Sequence, residues 1–449
     1  MSSVRRVGQL FLSPSPAPIP FSEALGVWAR VAAQSFGGPA GQIAVMHRIL
    51  VDEKRWFDEA RFLHALSFCT LLPGPEAQQL ATYLGWSLHG TRGGLAAGAL
   101  FVLPGFAAIL ALSIVYVQFG ALPAVAALFS GIKAAVLALV LEAALRIGRR
   151  VLAARLQRWV AVLAFAALFL FAVPFPLVVL ASGAIGVVAS RVGWIVSTAS
   201  APEPGPGRDH GSGTTRALRV LAIFLPLWFG PTLACAWWLG PSDVFTRLGV
   251  FFSQTAVVTF GGAYAVLAYV AQRAVESYGW LSAPEMLDGL GLAETTPGPL
   301  IMVVQFVGFL AAYRHAGVSF PIAAGIAGSL LASWVTFVPS FLWIFLGAPY
   351  VERLRGEPRL AAALQCIMAA VVGVIANLAL WFALHVVFAR VEITEAAGLY
   401  LTVPAWESLD PWALALSLGA CVALLRFRIG LTATLAGSAL AGLCISLLR

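Results

Sequence analysis

The sequence predicts an all-α polytopic membrane protein, because of its composition, its continuous apolar runs and an internal repeat. Of the 449 residues, 60% are apolar and only 11% are charged, whereas about a quarter of an ordinary soluble protein is charged. This composition excludes a soluble enzyme and a disordered chain. Continuous apolar runs favour helices over the alternating strands of a transmembrane barrel. At about 20 residues per crossing, they allow roughly 10–13 membrane segments.

Two stretches of the chain repeat one another at a fixed spacing. Phe36-Gly37-Gly38 recurs as Phe260-Gly261-Gly262, and Pro73-Gly74-Pro75 recurs as Pro297-Gly298-Pro299, with the same offset in both cases. Two unusual tripeptides that recur in register indicate a duplicated unit. The sequence therefore predicts two homologous halves whose helices are interrupted at the PGP motifs.

The repeat and the composition divide the chain into seven segments. Residues 1–20 are predicted to form a flexible cytoplasmic tail, 21–150 the first repeat, 151–196 an extra helical hairpin, 197–217 a cytoplasmic linker, 218–242 a connecting helix, 243–390 the second repeat and 391–449 the C-terminal helices. The linker is polar and rich in Pro and Gly, so it cannot bury enough apolar surface to order itself. Later in the repeats the offset becomes slightly larger, and this larger offset pairs Pro104 with Pro339.

The distribution of arginine predicts the topology. Five arginines lie between two apolar runs at 146–158, and others follow in the linker, so both loops are predicted to be cytoplasmic. One crossing at 218–241 then starts the second repeat outside, whereas the first repeat starts inside. The halves are therefore predicted to be inverted, or antiparallel, with a cytoplasmic N-terminus and an external C-terminus. The segments 22–38 and 62–90 could either cross the membrane or re-enter it, since both choices leave the following segments on the same side.

The PGP motifs predict two half-helices that begin inside the membrane. Proline removes a backbone donor and restricts the residue before it, so the two prolines around Gly74 end one helix and start another. The new helix has free N–H groups and a partial positive charge, which suit an anion. Pro299 would start the second half-helix from the other side. Inverted repeats with interrupted helices are typical of secondary transporters. Proline kinks that are accommodated by packing against neighbouring helices would also account for the motifs.

The candidate substrate-binding residues lie at these breaks and at one membrane lysine. They are Gly37, Gly38, Pro73, Gly74, Pro75, Gln78, Lys133, Gly261, Gly262, Thr296, Pro297, Gly298 and Pro299. Paired glycines allow unusual dihedral angles, or simply a close helix crossing. Lys133 lies in mid-span, where an ammonium needs a partner or a polar cavity. It could attract an anion, or form a structural ion pair with, for instance, Glu142 or Glu76.

Two carboxylates are candidates for coupling transport to a second ion. Glu76 follows Pro75 in the first turn of its half-helix, where a carboxylate also favours the helix dipole. Glu294 precedes the second PGP motif and could act similarly. The histidines show no metal-ligand spacing, and neither a G-x-S-x-G motif nor a P-loop occurs. We therefore predict no metal, no cofactor, no nucleic-acid partner and no enzyme activity.

The motifs resemble those of a known family. FGGPAGQIAVMHRILVDEKRWFDEARFLHALSFCTLLPGPEAQQLATYLGW at 36–86 closely resembles the signature of the chromate ion transporter family, in its long, two-domain form. GLAETTPGPLIMVVQFVGF at 291–309 resembles the corresponding C-terminal domain. The resemblance implies secondary active export of chromate, a tetrahedral dianion, across a bacterial or archaeal plasma membrane, and hence chromate resistance.

Several alternatives stay open at this stage. Sulfate and chromate share charge and shape, so helix N-termini would discriminate poorly between them, and a sulfate or other oxyanion carrier is the close rival. An anion channel and an intramembrane enzyme are more distant ones. The lipid bilayer is the expected surrounding. The coupling ion, either a proton or a counter-anion, and the oligomeric state are left undetermined.

Overall fold

A computed structural model of the protein describes residues 19–194, 213–260, 262–347, 357–396 and 399–448. Most of the predicted tail and linker, together with Gly261, therefore lie outside the described residues. The described chain is almost entirely helical. This confirms the predicted all-α polytopic membrane fold.

The first repeat contains five helices. They are α1 (Phe21–Gln34), α2 (Gly38–His47), α3 (Glu59–Cys69), α4 (Glu76–Phe119) and α5 (Pro123–Val151), and a π-helical turn, Arg48–Glu53, follows α2. The long helix α4 is in fact a hairpin, because His89 and Gly90 have non-helical dihedral angles. A Cβ added to Gly85 would lie 2.5 Å from the Gly93 carbonyl oxygen. We call its two arms α4a (76–88) and α4b (91–119).

Three helices separate the repeats, and the second repeat follows. The separating helices are α6 (Arg155–Phe171), α7 (Phe175–Arg191) and α8 (Gly213–Trp238). The second repeat comprises α9 (Val244–Val258), α10 (Ala263–Gln272), a π-helical turn Arg273–Ser277, α11 (Ala283–Thr295), a 3₁₀ turn Leu300–Met302, α12 (Val303–His315), α13 (Pro321–Gly347) and α14 (Pro358–Val387).

The C-terminal part contains a feature that the sequence reasoning missed. Two short antiparallel strands, β1 (Val391–Ala396) and β2 (Leu399–Pro404), precede α15 (Pro411–Cys421) and α16 (Leu431–Leu448). Their alternating β-branched residues favour a hairpin, a signal that was overlooked beside the longer apolar runs.

The order of elements is the same in both repeats. Each has a helix, an FGG break, a helix that ends in a π-helical turn, a third helix, a PGP break, a short helix and two long helices. The third helix begins at a side-chain cap in both cases, since Asp58 accepts from Arg61 N and Ser282 accepts from Glu285 N. The duplication seen in the motifs therefore extends to the order of secondary structure.

With α4 counted across its kink, six described helices are long and apolar enough to cross a membrane by length and composition: α4, α5, α8, α13, α14 and α16. Large apolar side chains point outward on the described surface, with Trp237 86% and Trp238 80% exposed near the end of α8. Tryptophan is favoured at the level of the lipid headgroups. The fold thus presents an apolar belt suited to a bilayer.

The short helices of the first repeat fold back to the end of the molecule at which they start. Lys54 Nζ lies 2.8 Å from Glu23 Oε1, so the start of α1 and the end of the π-helical turn meet at one end of the molecule. His89 Nε2 lies 2.8 Å from Ile19 O, which brings the end of α4a to the same place. At 1.5 Å per residue, the 14 residues of α1 span about 21 Å, short of a hydrocarbon core of about 30 Å.

The second repeat folds back in the same way. Arg314 at the end of α12 forms an ion pair with Glu285 at the start of α11, so this helix pair also begins and ends at one level. A Cβ added to Gly308 would lie 2.7 Å from the Gly328 carbonyl oxygen, which is the counterpart of the Gly85–Gly93 contact. The PGP turns, with buried Gly74 and Gly298, therefore lie in the interior, where the chain folds back.

Candidate functional site

The helix breaks of the two repeats are joined by a reciprocal pair of hydrogen bonds. Gly74 N donates to Thr259 O at 2.9 Å, and Gly298 N donates to Ser35 O at 2.9 Å. Ser35 and Thr259 are the residues just before the two FGG motifs. Exchanging the repeats converts one bond into the other, as in an interface with two-fold symmetry. Each PGP turn is thus held by the FGG break of the opposite repeat.

Both PGP turns require glycine at the centre. Gly74 has φ +128° and Gly298 has φ +103°, a region that favours residues without a Cβ. A Cβ on Gly74 would lie 2.8 Å from Ser340 Oγ, and one on Gly298 would lie 3.0 Å from the Gly105 Cα. Gly105 and Ser340 follow Pro104 and Pro339 in the two long helices. A long helix of one repeat therefore covers the PGP turn of the other.

The half-helices that follow the PGP turns begin without a side-chain cap. Pro75 precedes α4a and Pro299 precedes the 3₁₀ turn before α12, and neither start has a side-chain cap hydrogen bond. The first N–H groups of a helix have no intrahelical acceptor. The geometry is the one that the PGP motifs predict, with two helix starts in the interior of the protein. Their binding of an anion stays a prediction.

The two candidate coupling carboxylates lie beside glycines of the opposite repeat. A Cβ on Gly38 would be 3.9 Å from Glu294 Oε2, and one on Gly262 would be 4.0 Å from Glu76 Oε1. Glu294 is only 3% exposed and accepts a 2.6 Å hydrogen bond from the Tyr264 hydroxyl. The structure thus brings Gly38 and Gly262 together with the two carboxylates. Gly261 is outside the described residues.

Buried amide side chains surround the breaks. Gln42 Nε2 donates to Gly298 O at 2.5 Å, Gln78 Nε2 to Thr82 Oγ1 at 3.0 Å, and Gln79 Nε2 to Pro73 O at 2.8 Å. Each has a buried Oε1 with no hydrogen-bond partner. Unsatisfied buried polar atoms mark places where water or a ligand completes the bonding. Gln42 was missed at the sequence level, because it is a single polar residue in a short helix.

Other candidates have local roles. The Thr296 hydroxyl donates to Ala293 O at 3.3 Å, so it closes its own helix end. Gly37, with φ +81°, precedes α2 at the first FGG break. Within the described part of the chain, no three His, Cys, Asp or Glu side chains converge in an arrangement that could hold a metal ion.

The structure corrects the partner proposed for Lys133. Its Nζ lies 3.4 Å from Asp288 Oδ1, whereas Glu142 pairs with Arg146 at 3.6 Å. The close approach of α5 and α11 is responsible, because a Cβ on Gly291 would lie 2.3 Å from Ile132 Cγ2. Glu142 is more than two helical turns further along α5, about 13 Å away by helical rise. Asp288 was missed, although a carboxylate within an apolar segment is itself a signal.

These features define a helical membrane protein made of two repeats that meet at paired helix breaks. Comparison of the sequence with known protein families identifies the family to which it belongs. The sequence model of the chromate transporter family matches residues 23–187 and 246–443. The chain belongs to the chromate transporter family.

The relatives include proteins from bacteria and an archaeon. The chain is 33% identical to a chromate transport protein of Pseudomonas aeruginosa, over 80% of each chain. It is 30% identical to a chromate transport protein of Cupriavidus metallidurans, over 77% of this chain and 78% of the relative. An uncharacterized transporter of Methanocaldococcus jannaschii is 27% identical over 78% of this chain and 82% of the relative. No solved structure matches the chain.

Proposed function

We propose that this integral membrane protein is a secondary active transporter that exports chromate across the plasma membrane by alternating access and so confers chromate resistance. The observation that carries the proposal is the reciprocal pair of bonds from Gly74 to Thr259 and from Gly298 to Ser35. These bonds place four helix breaks around one interior region. Two relatives named chromate transport proteins support the choice of substrate.

The interior breaks supply a site for a dianion. The uncapped starts of α4a and of the 3₁₀ turn before α12 offer backbone N–H groups and the positive end of a helix dipole. The glycines of the FGG and PGP motifs let an oxyanion approach the backbone closely. Gln42 and Gln78 can present their amide N–H groups if the side chains rotate. Lys133 adds a positive charge on the neighbouring α5.

The two repeats are inverted in this proposal, with the N-terminus in the cytoplasm and the C-terminus outside. One groove supports the inversion: its wall on α5 includes Leu137 and Gly148, and its wall on α14 includes Val372 and Ala383, the equivalent positions of the second repeat. A Cβ on Gly148 would contact Val372 at 3.4 Å. This crossed pairing is expected of antiparallel helices related by a two-fold axis. Exchange of conformations between inverted repeats would expose one site to either side.

Glu76 and Glu294 are the groups proposed to couple transport to a second ion. Each lies beside a glycine of the opposite repeat. A buried carboxylate can exchange a proton when its surroundings change. A proton is therefore the coupling ion we favour, and a counter-anion is the alternative.

The test is chromate flux into inverted vesicles from cells that express the chain, with sulfate as competitor. The expected result is saturable accumulation of chromate that stops when the proton gradient is collapsed. Vesicles with the same amount of Gly74→Val protein are the control. Flux that neither saturates nor depends on the gradient would indicate a channel. Transport of sulfate without chromate would contradict the proposed substrate and favour a sulfate carrier on the same scaffold.

A further inference from the structure

We propose that Asp288 is the resident counter-ion of Lys133, which pairs with the ammonium when the carrier is empty and yields it to the oxyanion when the carrier is loaded. This inference rests on the proposed function. Lys133 would then pair with Asp288 in the empty carrier and with the substrate in the loaded carrier. The exchange would let the carrier return empty without an unpaired charge in the membrane.

The ion pair joins the two repeats. Lys133 is on α5 of the first repeat and Asp288 is on α11 of the second, with 3.4 Å between Nζ and Oδ1. Tyr116, on α4b, donates its hydroxyl to Asp288 Oδ2 at 2.9 Å. The Asp288 side chain is 5% exposed, whereas that of Lys133 is 22% exposed. Of the two side chains, that of Lys133 is thus the more accessible to a ligand.

The pair is looser than a tight salt bridge. Hydrogen-bonded N⁺–H···O⁻ pairs are about 2.7–2.9 Å long, and Asp288 Oδ1 has no hydrogen-bond partner. The bond from Tyr116, in contrast, is of ordinary length. The tyrosine ring is itself held edge-on against Phe129 and Phe306, with ring centroids 5.4 and 5.2 Å away. Lys133 can therefore leave while Tyr116 keeps the carboxylate in place.

The energetic reason for the pair lies in the cost of isolated charge. An unpaired ammonium or carboxylate inside a membrane protein is strongly unfavourable. The other carboxylate on this face of α11, Glu285, already pairs with Arg314 and does not compensate Lys133. Asp288 therefore neutralises Lys133 in the empty carrier. Once a dianion neutralises Lys133, the hydrogen bond from Tyr116 stabilises the released carboxylate.

The cluster of Lys133, Asp288 and Tyr116 has no equivalent in the other repeat, and α11 connects it to the second PGP turn. Met368 occupies the position equivalent to Lys133, and His64 the one equivalent to Asp288, so the two repeats do not share this function. Asp288 lies on α11 upstream of Pro297, and Glu294 lies between them on the same helix. A shift of α11 when Lys133 changes partner would therefore move the second PGP turn and the coupling carboxylate.

The test compares net flux with exchange in proteoliposomes that contain chromate. For Asp288→Asn, net flux into chromate-free buffer should fall at least about tenfold, because the empty carrier retains an unpaired ammonium. Chromate-for-chromate exchange should persist, and the half-saturating chromate concentration should fall. Lys133→Gln should lose both activities. Tyr116→Phe should raise the half-saturating chromate concentration, opposite to Asp288→Asn, because the carboxylate that Lys133 releases then lacks the hydrogen bond from the tyrosine.

Glu285→Gln is the matched control, because it removes another paired carboxylate from the same helix. It should leave the ratio of net flux to exchange unchanged. If Asp288→Asn loses both fluxes equally while remaining folded by size-exclusion elution, or changes neither, the inference is wrong. If Asp288→Asn does not fold, an unchanged half-saturating chromate concentration in Tyr116→Phe contradicts the inference. Wild-type protein that moves chromate in neither mode would instead contradict the proposed function.

Discussion

Gly74 shows how one residue determines the local geometry of the site. Its positive φ turns the chain between two prolines, and its N–H reaches Thr259 in the other repeat. The PGP motif alone predicts the turn, because proline and glycine act through their own backbones. It does not predict the acceptor, because Thr259 is distant in the chain and meets Gly74 only when the two repeats pack together.

Gly74→Val should abolish chromate flux while the protein still inserts. A side chain here would lie 2.7 Å from Gln79 Nε2 and would adopt a strained φ. Flux in vesicles, normalised to the amount of protein, measures the effect. Gly240→Ala is the matched control, since Gly240 has φ +94° but no neighbour within 4 Å of an added Cβ. Wild-type chromate resistance in Gly74→Val would show that the turn has only a structural role.

Glu294→Gln should separate transport from its driving force. The amide cannot exchange a proton, yet it can still accept the hydrogen bond from Tyr264. We therefore expect chromate exchange to persist and net accumulation to lose its response to a proton gradient. The matched control is Glu59→Gln at the exposed start of α3, whose carboxylate pairs with His47. Accumulation by Glu294→Gln that still follows the gradient would exclude Glu294 as the coupling group.

At the scale of elements, close helix contacts place the site. The N-terminal part of α5 packs against α16 without a side chain between them, since a Cβ on Gly131 would lie 1.8 Å from Ser438 O. Gly442 of α16 faces Ala127 in the same way, with 2.6 Å to its carbonyl oxygen. Small residues allow such approach between membrane helices. This contact holds α5 where Lys133 can meet α11.

Gly131→Ala should therefore destabilise the protein. Overpacking of this kind costs roughly 1–3 kcal/mol, and separation of α5 from α16 would add the loss of their contact. We expect a lower melting temperature in detergent and a larger aggregated fraction. Gly437→Ala on α16 is the control, because nothing lies within 4 Å of its added Cβ. Equal melting temperatures for the two variants would mean that α16 adjusts freely.

At the scale of the whole molecule, re-entrant helices decide how the repeats can face the membrane. The first repeat sends two short helix pairs from one end to the interior and back, and the pair α11–α12 of the second repeat does the same. The proposed inverted arrangement places these ends on opposite sides of the membrane. The exposed residues Asp52 and Ser277 lie in the π-helical turns of the first and second repeats. Labelling at these positions can therefore show on which side of the membrane each turn lies.

Cysteine labelling tests the inversion. In a background with the native cysteines replaced, Ser277→Cys should react with a membrane-impermeant maleimide in intact cells. Asp52→Cys should react only after the membrane is permeabilised, because its turn is proposed to be cytoplasmic. A mass-shift assay on a gel measures both reactions. Labelling of both cysteines from the same side would contradict the inverted topology and, with it, the proposed mode of alternating access.

The sequence by itself determined the class of fold, the duplication and the position of the FGG and PGP breaks. Apolar run length, proline and glycine act locally, so a linear reading finds them. Only the tertiary structure decided that the short segments of the first repeat fold back to one end, that each PGP turn bonds to the opposite FGG break, and that Lys133 pairs with Asp288. The last two contacts join residues of different repeats, far apart in the chain. They depend on which helices pack together, and that choice follows from the shapes of whole helix surfaces rather than from any local pattern.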